Sequence, residues 1–379
     1  MDFKASSKTL EYFNRLNKLL AARHQILAVV FQPPRGMVAE KHIDFLEAPK
    51  GYTPQKAREG YKSFLRQLNS IGIVTVDLSD VPADIAYFPK GDSHWTSEGA
   101  RYSAYTIAKE LQNVPAYTEL EKGRFESAMA GMGPANRGAF EEFLQSACQV
   151  NIGLTTEPLW LTQRVGGSQK NTSFPAVTVM GTNNSFSESK FNFVGFLRQF
   201  LQADVYNAAV AGGFGASAYR YFSSEEYRVH PPKIVIWEFL PHHDYNDNES
   251  TNAFRQMIPA IHGACSKAQA SAQFDGNLTK TQTDVLTQLA GQSLKDSFLY
   301  LDVTNPTERT LKVEILYKDG NADQIDLTRS IRNKNNGEYY LELSDNTDKQ
   351  ALFFRIVTDT PRGHLTARLC QYPTYVAEK

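Results

Sequence analysis

The sequence lacks an excess of charge of either sign, and it has no long apolar run. Its 40 lysine and arginine residues nearly balance its 41 aspartate and glutamate residues. A nucleic-acid binder usually carries a basic surplus, so we expect no nucleic-acid partner. The apolar stretches fall short of the length that crosses a bilayer, so we expect no membrane span. The N-terminus has no apolar signal core, so either the protein is cytosolic or the numbering begins after a removed leader.

Cysteine is scarce, with only Cys148, Cys265 and Cys370 present. None belongs to a C-x-x-C pair, so the sequence indicates no zinc site. A bridge between Cys265 and Cys370 would close a loop of about 100 residues and stabilise the fold by up to roughly 4–5 kcal/mol. It would also imply an oxidising compartment. Three reduced, buried thiols are the alternative, and the residues alone leave both open.

Residues 1–264 alternate helix-like and strand-like segments, which is typical of an α/β domain. Nearly continuous apolar runs such as Lys233–Leu240 indicate buried parallel strands, and Thr96 or Ser97 is a natural helix cap. We predict a three-layer α/β domain with a mostly parallel sheet. Its strands are expected at 25–31, 73–77, 176–180, 204–210 and 233–240, its helices at 7–22, 55–70, 97–111 and 193–201, and a less regular insertion at 115–175.

Residues 265–379 show short strand-like runs separated by turn signals such as Asp319-Gly320-Asn321. The runs at 298–303, 310–317 and 351–357 predict a small antiparallel β-sandwich. We therefore predict two domains, 1–264 and 265–379. Aromatic residues reach 12%, which suits stacking on sugar rings, although core packing accounts for most of them.

Polar or glycine-rich segments follow several of the predicted strands, where open α/β sheets bind their ligands. These segments and a fourth that precedes a helix are expected to surround one pocket: Gly181–Ser187, Ala211–Ala216, Pro241–Tyr245 and Lys90–Trp95. Asp92 and His94 are two positions apart, so in extended backbone both side chains point the same way. An aspartate that orients an imidazole base is the arrangement used in acyl transfer. Taken alone, the pair is better explained as a turn that caps the following helix.

Several segments together resemble the AlgX-like alginate O-acetyltransferases, which are SGNH hydrolase-like. The run YFPKGDSHWTSEGA is similar to the family's K-G-D-x-H-W-T-x-x-G-A motif, and VMGTNNSFSESKFNFVGFL is similar to its G-T-S-N-S and N-F-x-G-F-L motifs. VVFQPPRGMV, DVYNAAVAGGFGA and PPKIVIWEF match further family segments. The resemblance covers essentially the whole chain and implies a catalytic domain followed by a carbohydrate-binding module.

The resemblance implies that Asp92 orients His94 and that His94 is the general base. It places the nucleophile at position 183, where a serine is expected and Asn183 stands. Asparagine has no hydroxyl to acylate, so a Ser-His-Asp triad cannot form. Three explanations remain open: an introduced serine-to-asparagine change, a naturally inactive relative that only binds polymer, or use of Ser185 or Ser187 instead.

The pocket is expected to include oxyanion donors. The natural candidates are the backbone amides near Asn183 and Asn184, and the turn at Gly212 and Gly213. Ser185 and His243 also match pocket positions of the family, where His243 replaces a tyrosine. A metal site built from His242, His243 and Asp244 together with Asp92 and His94 matches no defensible ligand spacing.

In the C-terminal module, the resemblance places Lys312 at a basic position that contacts polymer. The aromatic position four residues later is Leu316, which puts alginate itself in question. Lys318, Arg329 and Arg332 are candidates for a different basic face, and each also fits a solvated surface. The resemblance further implies a Cys265–Cys370 disulfide, and a partner for Cys148 upstream of residue 1.

We therefore expect an O-acetyltransferase that acts in the periplasm on hydroxyls of a secreted, alginate-like polysaccharide. Its partners would be that polymer, an acetyl-donor protein or carrier, and the polysaccharide export machinery. No metal and no nucleotide cofactor is expected. The leading alternative is a non-catalytic polymer-binding component of the export machine, and a third class is a secreted carbohydrate esterase.

Overall fold

The computed structural model describes residues 3–40, 50–89, 92–134, 138–149, 156–166, 174–186, 188–212, 214–287, 289, 294, 296–304, 310–328, 337–343, 350–359 and 361–372. The helices are α1 (Ser7–Ala21), α2 (Arg35–Val38), α3 (Pro54–Ser70), α4 (Ser97–Leu111), α5 (Pro115–Thr118), α6 (Ala139–Cys148), α7 (Asn183–Phe186), α8 (Glu188–Phe191), α9 (Phe193–Leu201), α10 (Ala216–Phe222), α11 (Glu225–Val229) and α12 (Asn248–His262). The strands are β1 (Ile26–Phe31), β2 (Val74–Thr75), β3 (Phe125–Pro134), β4 (Thr156–Arg164), β5 (Val177–Met180), β6 (Tyr206–Asn207), β7 (Ile234–Phe239), β8 (Ala272–Asn277), β9 (Gln282–Val285), β10 (Ser297–Val303), β11 (Thr310–Tyr317), β12 (Ala322–Thr328), β13 (Glu338–Glu342), β14 (Ala351–Val357) and β15 (His364–Gln371).

The chain forms two compact units. The sheet unit comprises Met1–Ser217 and Pro231–Asp247, and the sandwich unit comprises Ala218–His230 and Asn248–Lys379. Two helical segments that precede residue 265 thus pack with the C-terminal strands. The boundary between residues 264 and 265 stays a prediction.

The sheet unit contains a five-stranded parallel sheet in the order β2-β1-β7-β5-β6. The strands β1, β5 and β7 are almost fully buried, which explains their continuous apolar sequences. A cluster of aromatic rings from α1, α3 and the strands packs together, with Phe31 stacked on Tyr61 and Phe64 stacked on Tyr245. The predicted three-layer α/β architecture is confirmed.

Local sequence signals account for the helix ends near the site. The predicted helix at 97–111 is α4, and Thr96 caps it by accepting a hydrogen bond from the Gly99 backbone N–H at 3.1 Å.

The predicted insertion at 115–175 contains the antiparallel hairpin β3–β4, with a bulge between Met129 and Gly131. Among the described residues, no helix combines the length and apolar character that a membrane span requires.

The sandwich unit consists of two antiparallel four-stranded sheets, ordered β13-β10-β15-β8 and β12-β11-β14-β9. Alternating side chains of both sheets fill one core, including Leu299, Leu301, Val313 and Ile315. The Cys265–Cys370 disulfide implied by the resemblance is present. Within this unit, Arg255 of α12 donates a hydrogen bond to the Glu342 carbonyl of β13 at 2.9 Å.

Candidate active site

Asp92 and His94 form a hydrogen-bonded pair in the segment that precedes α4. His94 Nδ1 lies 2.7 Å from Asp92 Oδ1, and the His94 backbone N–H donates to the same oxygen at 3.2 Å. The Asp92 side chain is almost completely buried, whereas 23% of the His94 side chain is exposed. Burial would raise the pKa of the Asp92 carboxyl, but hydrogen bonds and charge from His94 outweigh burial and lower that pKa. The imidazole is therefore fixed at one nitrogen by an ionised carboxylate.

Arg35, at the start of α2, holds the backbone around this pair. Its Nη1 donates to the carbonyl of Pro89 at 2.6 Å and also to the carbonyl of Asp92. Its guanidinium lies over the Phe88 ring at 5.8 Å. Burial lowers the pKa of Arg35, and the nearby Asp92 charge opposes that shift. The planar guanidinium group carries several N–H donors, so it can bind both carbonyl oxygens at once.

The segment that follows β5 turns sharply into α7 and carries position 183. The Thr182 backbone N–H donates to Glu238 Oε2 at 2.8 Å, and the Ser185 hydroxyl donates to the same oxygen at 3.0 Å. The Thr182 hydroxyl lies 3.1 Å from Oε1 and 3.0 Å from Oε2 of Glu238. Asn183 itself is exposed at the start of α7. We call residues 181–186 the nucleophile-position turn.

Glu238, near the end of β7, is fully buried beneath the nucleophile-position turn. Burial raises the pKa of this carboxyl, and hydrogen bonds from Thr182, Ser185 and Asn184 partly offset that rise. A Cβ at Gly181 would lie 2.6 Å from Glu238 Oε2, so only glycine fits beside it. Sequence reasoning missed Glu238 as a site residue, although a lone acid in the apolar run IVIWEF was the available signal.

Asn184 connects the nucleophile-position turn to the Asp92–His94 segment. Its Oδ1 accepts a hydrogen bond from the Trp95 backbone N–H at 3.4 Å, and its Nδ2 donates to Gln32 Oε1 at 3.3 Å. The Phe191 ring of α8 stacks on the His94 ring, with centroids 6.0 Å apart and planes inclined by 14°. The structure thus brings the two predicted site segments into contact.

The segment after β6 adjoins the same turn. The Val210 backbone N–H donates to the Gly181 carbonyl at 3.2 Å, and Asn207 Nδ2 donates to the Ser185 carbonyl at 3.0 Å. Gly212 is exposed and has a φ of +153°, which favours glycine. Gly213 and Ser187 lie outside the described residues, as do Lys90 and Gly91.

His242 and His243 follow β7, with ring centroids 4.8 Å apart. Burial lowers the pKa of His243 to about 4, and the adjacent His242 adds to that effect. The pKa of His242 is lowered mainly by burial, and the charge of His94 adds to that effect. Among the described residues, no group of three or more His, Cys, Asp and Glu side chains is suited to hold a metal ion.

Glu157 of β4 is a second acid that the sequence analysis did not select. Burial raises the pKa of its carboxyl, and the negative charge of Asp92 raises it further. Lys190 of α8 opposes that shift. The hairpin therefore brings a carboxylate within electrostatic range of the Asp92–His94 pair.

In the sandwich unit, Lys312 lies on the outer face of the β12-β11-β14-β9 sheet. The register pairs Leu316 with Phe353 on β14, so the neighbouring strand supplies an aromatic ring beside the position where the family motif has one. Arg355 on this face is paired with Asp284 at 2.7 Å and lies 3.7 Å from Glu314. Lys318 lies in the turn after β11 and donates to Gln350 Oε1 at 2.6 Å. Arg329 and Arg332 lie outside the described residues.

Comparisons with known proteins show the family of this chain. A family model described as "SGNH hydrolase-like domain, acetyltransferase AlgX" matches residues 1–241. The alginate biosynthesis protein AlgX of Pseudomonas aeruginosa is 32% identical over 98% of this chain and 80% of its own length. The solved structure of P. aeruginosa AlgX superposes with a TM-score of 0.85 at 30% identity, covering 98% of this chain and 90% of that chain.

A further relative matches a smaller part of the chain. The probable alginate O-acetylase AlgJ of Azotobacter vinelandii is 29% identical over 47% of this chain and 49% of its own length.

Proposed function

Because the chain belongs to the AlgX family of SGNH hydrolase-like acetyltransferase domains, we propose that its site is built for O-acetyl transfer to a secreted, alginate-like polysaccharide. One observation carries this proposal: a buried carboxylate holds one nitrogen of the His94 ring at 2.7 Å, while Asn184, next to position 183, bonds the residue after His94. This arrangement supports a base that faces the nucleophile position.

With a serine at position 183, the mechanism would be a double displacement. His94 takes the serine hydroxyl proton while the oxygen attacks the acetyl carbonyl, and it returns the proton to the departing donor group. In the second half, His94 takes a proton from a sugar hydroxyl, whose oxygen attacks the acyl-serine carbonyl. The bond from the acetyl carbon to the serine oxygen then breaks, and His94 returns the proton to that oxygen. Asp92 holds the imidazole and stabilises the imidazolium that forms in each half. The family names and the AlgJ relative, named as a probable alginate O-acetylase, support this reaction class.

Asn183 has no hydroxyl to acylate, so this chain should show little turnover. The same observation favours a second candidate function, a non-catalytic polysaccharide-binding component of an export machine. In that role the sheet unit would keep its pocket for a sugar chain, and the sandwich unit would add a second polymer contact at Lys312 and Phe353. Lys318 remains a candidate contact as well.

The Cys265–Cys370 disulfide supports a periplasmic site of action, because such bonds persist in oxidising compartments. The acetyl-donor protein or carrier and the export machinery remain proposed partners, and the mechanism calls for no metal and no nucleotide.

The Asn183→Ser variant tests the proposal. We expect it to gain esterase activity on 4-nitrophenyl acetate, and the N183S/H94A variant to lose about two to four powers of ten of that rate. N183A is the matched control that should stay inactive. With oligosaccharide acceptors present, acetylated sugar indicates a transferase. Release of free acetate alone indicates a carbohydrate esterase. If N183S shows no esterase activity but still binds polymer, the enzyme proposal is overturned and the export-machine role is supported.

A further inference from the structure

We propose that Glu238 is a positioning residue that fixes the nucleophile-position turn against the Asp92–His94 segment. This inference rests on the proposed function for its catalytic meaning, but its structural part can be tested without turnover.

Several hydrogen-bond donors converge on the Glu238 carboxylate. A backbone N–H and two hydroxyls, all within residues 182–185, point at its two oxygens at 2.8–3.1 Å. A buried carboxylate is tolerated only when such donors replace the lost water. The turn and the carboxylate therefore hold each other, and the peptide that leads into position 183 has one orientation.

A continuous path of hydrogen bonds runs from Glu238 to the Asp92–His94 segment. The Thr182 hydroxyl, which donates to Glu238, accepts the Asn184 backbone N–H at 3.3 Å. The Asn184 side chain in turn accepts the Trp95 N–H at 3.4 Å. Because Trp95 directly follows His94, the path links the orientation of position 183 to that of the imidazole.

The position of Glu238 in the sheet makes it a rigid anchor. It lies near the carboxyl end of the central strand β7 and pairs in register with Val30 of β1. The chain that continues from β1 supplies Gln32, whose Oε1 accepts from Asn184 Nδ2 at 3.3 Å. A rigid strand thus anchors the turn from below, as an accurately positioned site requires.

Hydrogen exchange of the chain with Asn183 at this position tests the structural part. In E238Q the amide group cannot accept all of the converging donors, so exchange of the backbone amides of residues 182–186 should speed up by about tenfold or more. Y61F is the matched control, because it removes a buried hydrogen bond of the same unit, the 2.8 Å bond from the Tyr61 hydroxyl to the Phe31 carbonyl, without removing a donor to Glu238. S185A, which removes a single donor, should give a smaller change confined to the same segment.

Kinetics in the N183S background test the catalytic part. E238Q should lower kcat by about tenfold or more with little change in KM. In the double variant E238Q/T182V, the loss in kcat should be smaller than the two separate losses combined, because both substitutions act on one contact. Y61F should leave kcat unchanged. The proposal would be overturned if E238Q left the exchange of residues 182–186 unchanged. It would also be overturned if E238Q, like Y61F, raised exchange by the same factor throughout the sheet unit. If N183S itself is silent, the proposed function fails, and the exchange result alone decides the role of Glu238.

Discussion

The side-chain oxygen of Asn184 accepts a hydrogen bond from the backbone N–H of Trp95 across 89 positions of sequence. This bond joins the residue after position 183 to the residue after His94. It shows why two motifs far apart in the chain can serve one pocket.

Replacing Asp92 with asparagine should change stability in a pH-dependent way. The pKa of Asp92 is lowered in the folded protein, so its contribution is fully present above its unfolded pKa of about 3.9 and is lost as the pH falls through the lower, folded value. The gap in unfolding free energy between parent and D92N should therefore shrink as pH falls from about 6 to about 3. Urea unfolding at each pH measures it, and a constant gap would contradict the assigned shift.

Replacing Arg35 with methionine should lower the unfolding free energy by about 1.5–3 kcal/mol, because charged hydrogen bonds to two carbonyls are lost. Arg35→Lys should recover only part of this, since an ammonium lacks the planar fork. Arg124→Met is the control, because its pair with Glu126 is exposed and should cost less than about 1 kcal/mol. Denaturant unfolding measures all three, and equal losses for R35M and R124M would count against the bracing role.

Replacing Gly181 with alanine should destabilise the sheet unit by about 1–3 kcal/mol, because the new methyl group overlaps the Glu238 carboxylate and the Ser185 hydroxyl. Thermal unfolding followed by circular dichroism measures the loss. An unchanged midpoint would mean that the nucleophile-position turn can shift freely, which would also weaken the case for Glu238.

Removing the disulfide by the double substitution C265S/C370S should lower stability by about 4–5 kcal/mol in the chain-entropy model, because the bridge spans 105 positions. C148S is the control, since Cys148 is free and exposed. Denaturant unfolding with and without reductant should show the loss in the parent on reduction and no further loss in the double variant. If reductant leaves the unfolding free energy of the parent protein unchanged, the disulfide does not stabilise the fold.

Replacing Phe353 with alanine should weaken polysaccharide binding by about tenfold, equal to ~1.4 kcal/mol, if its ring is a stacking surface for sugar. K312A should have a smaller effect that decreases as salt rises, because Lys312 is a half-buried charge on the outer face of its sheet, beside several carboxylates. L352A removes an exposed apolar neighbour and serves as the control. Calorimetric titration with alginate and with a neutral glycan measures each, and an equal loss for L352A would exclude a specific site.

Features set by local chemistry could be predicted from the sequence. The helices α4 and α9 match the predicted ranges because a cap and a periodic apolar face define them. Strands β1 and β7 were recognisable because burial on both faces makes their sequences continuously apolar. The hairpin β3–β4 was missed, since strands with mixed exposure and a bulge show no regular alternation.

The site was predictable only in part, because some of its contacts join residues that are far apart in the sequence. Asp92 and His94 stand two positions apart, so their pairing is a local property. Glu238 receives its donors from residues more than fifty positions away, which no local pattern reveals. Glu157 likewise reaches the site only because the hairpin folds toward α8.

The interleaving of the two units constrains how the protein can be dissected and made. A fragment that stops at Ser217 omits the middle strand β7 and its carboxylate, so the sheet would be split at its centre. A fragment that starts at residue 265 omits helices that pack with the C-terminal strands. Neither half can be excised with one cut. During synthesis, α11 leaves the ribosome long before the strands that it joins, so the last stage of folding must wait for nearly the whole polypeptide.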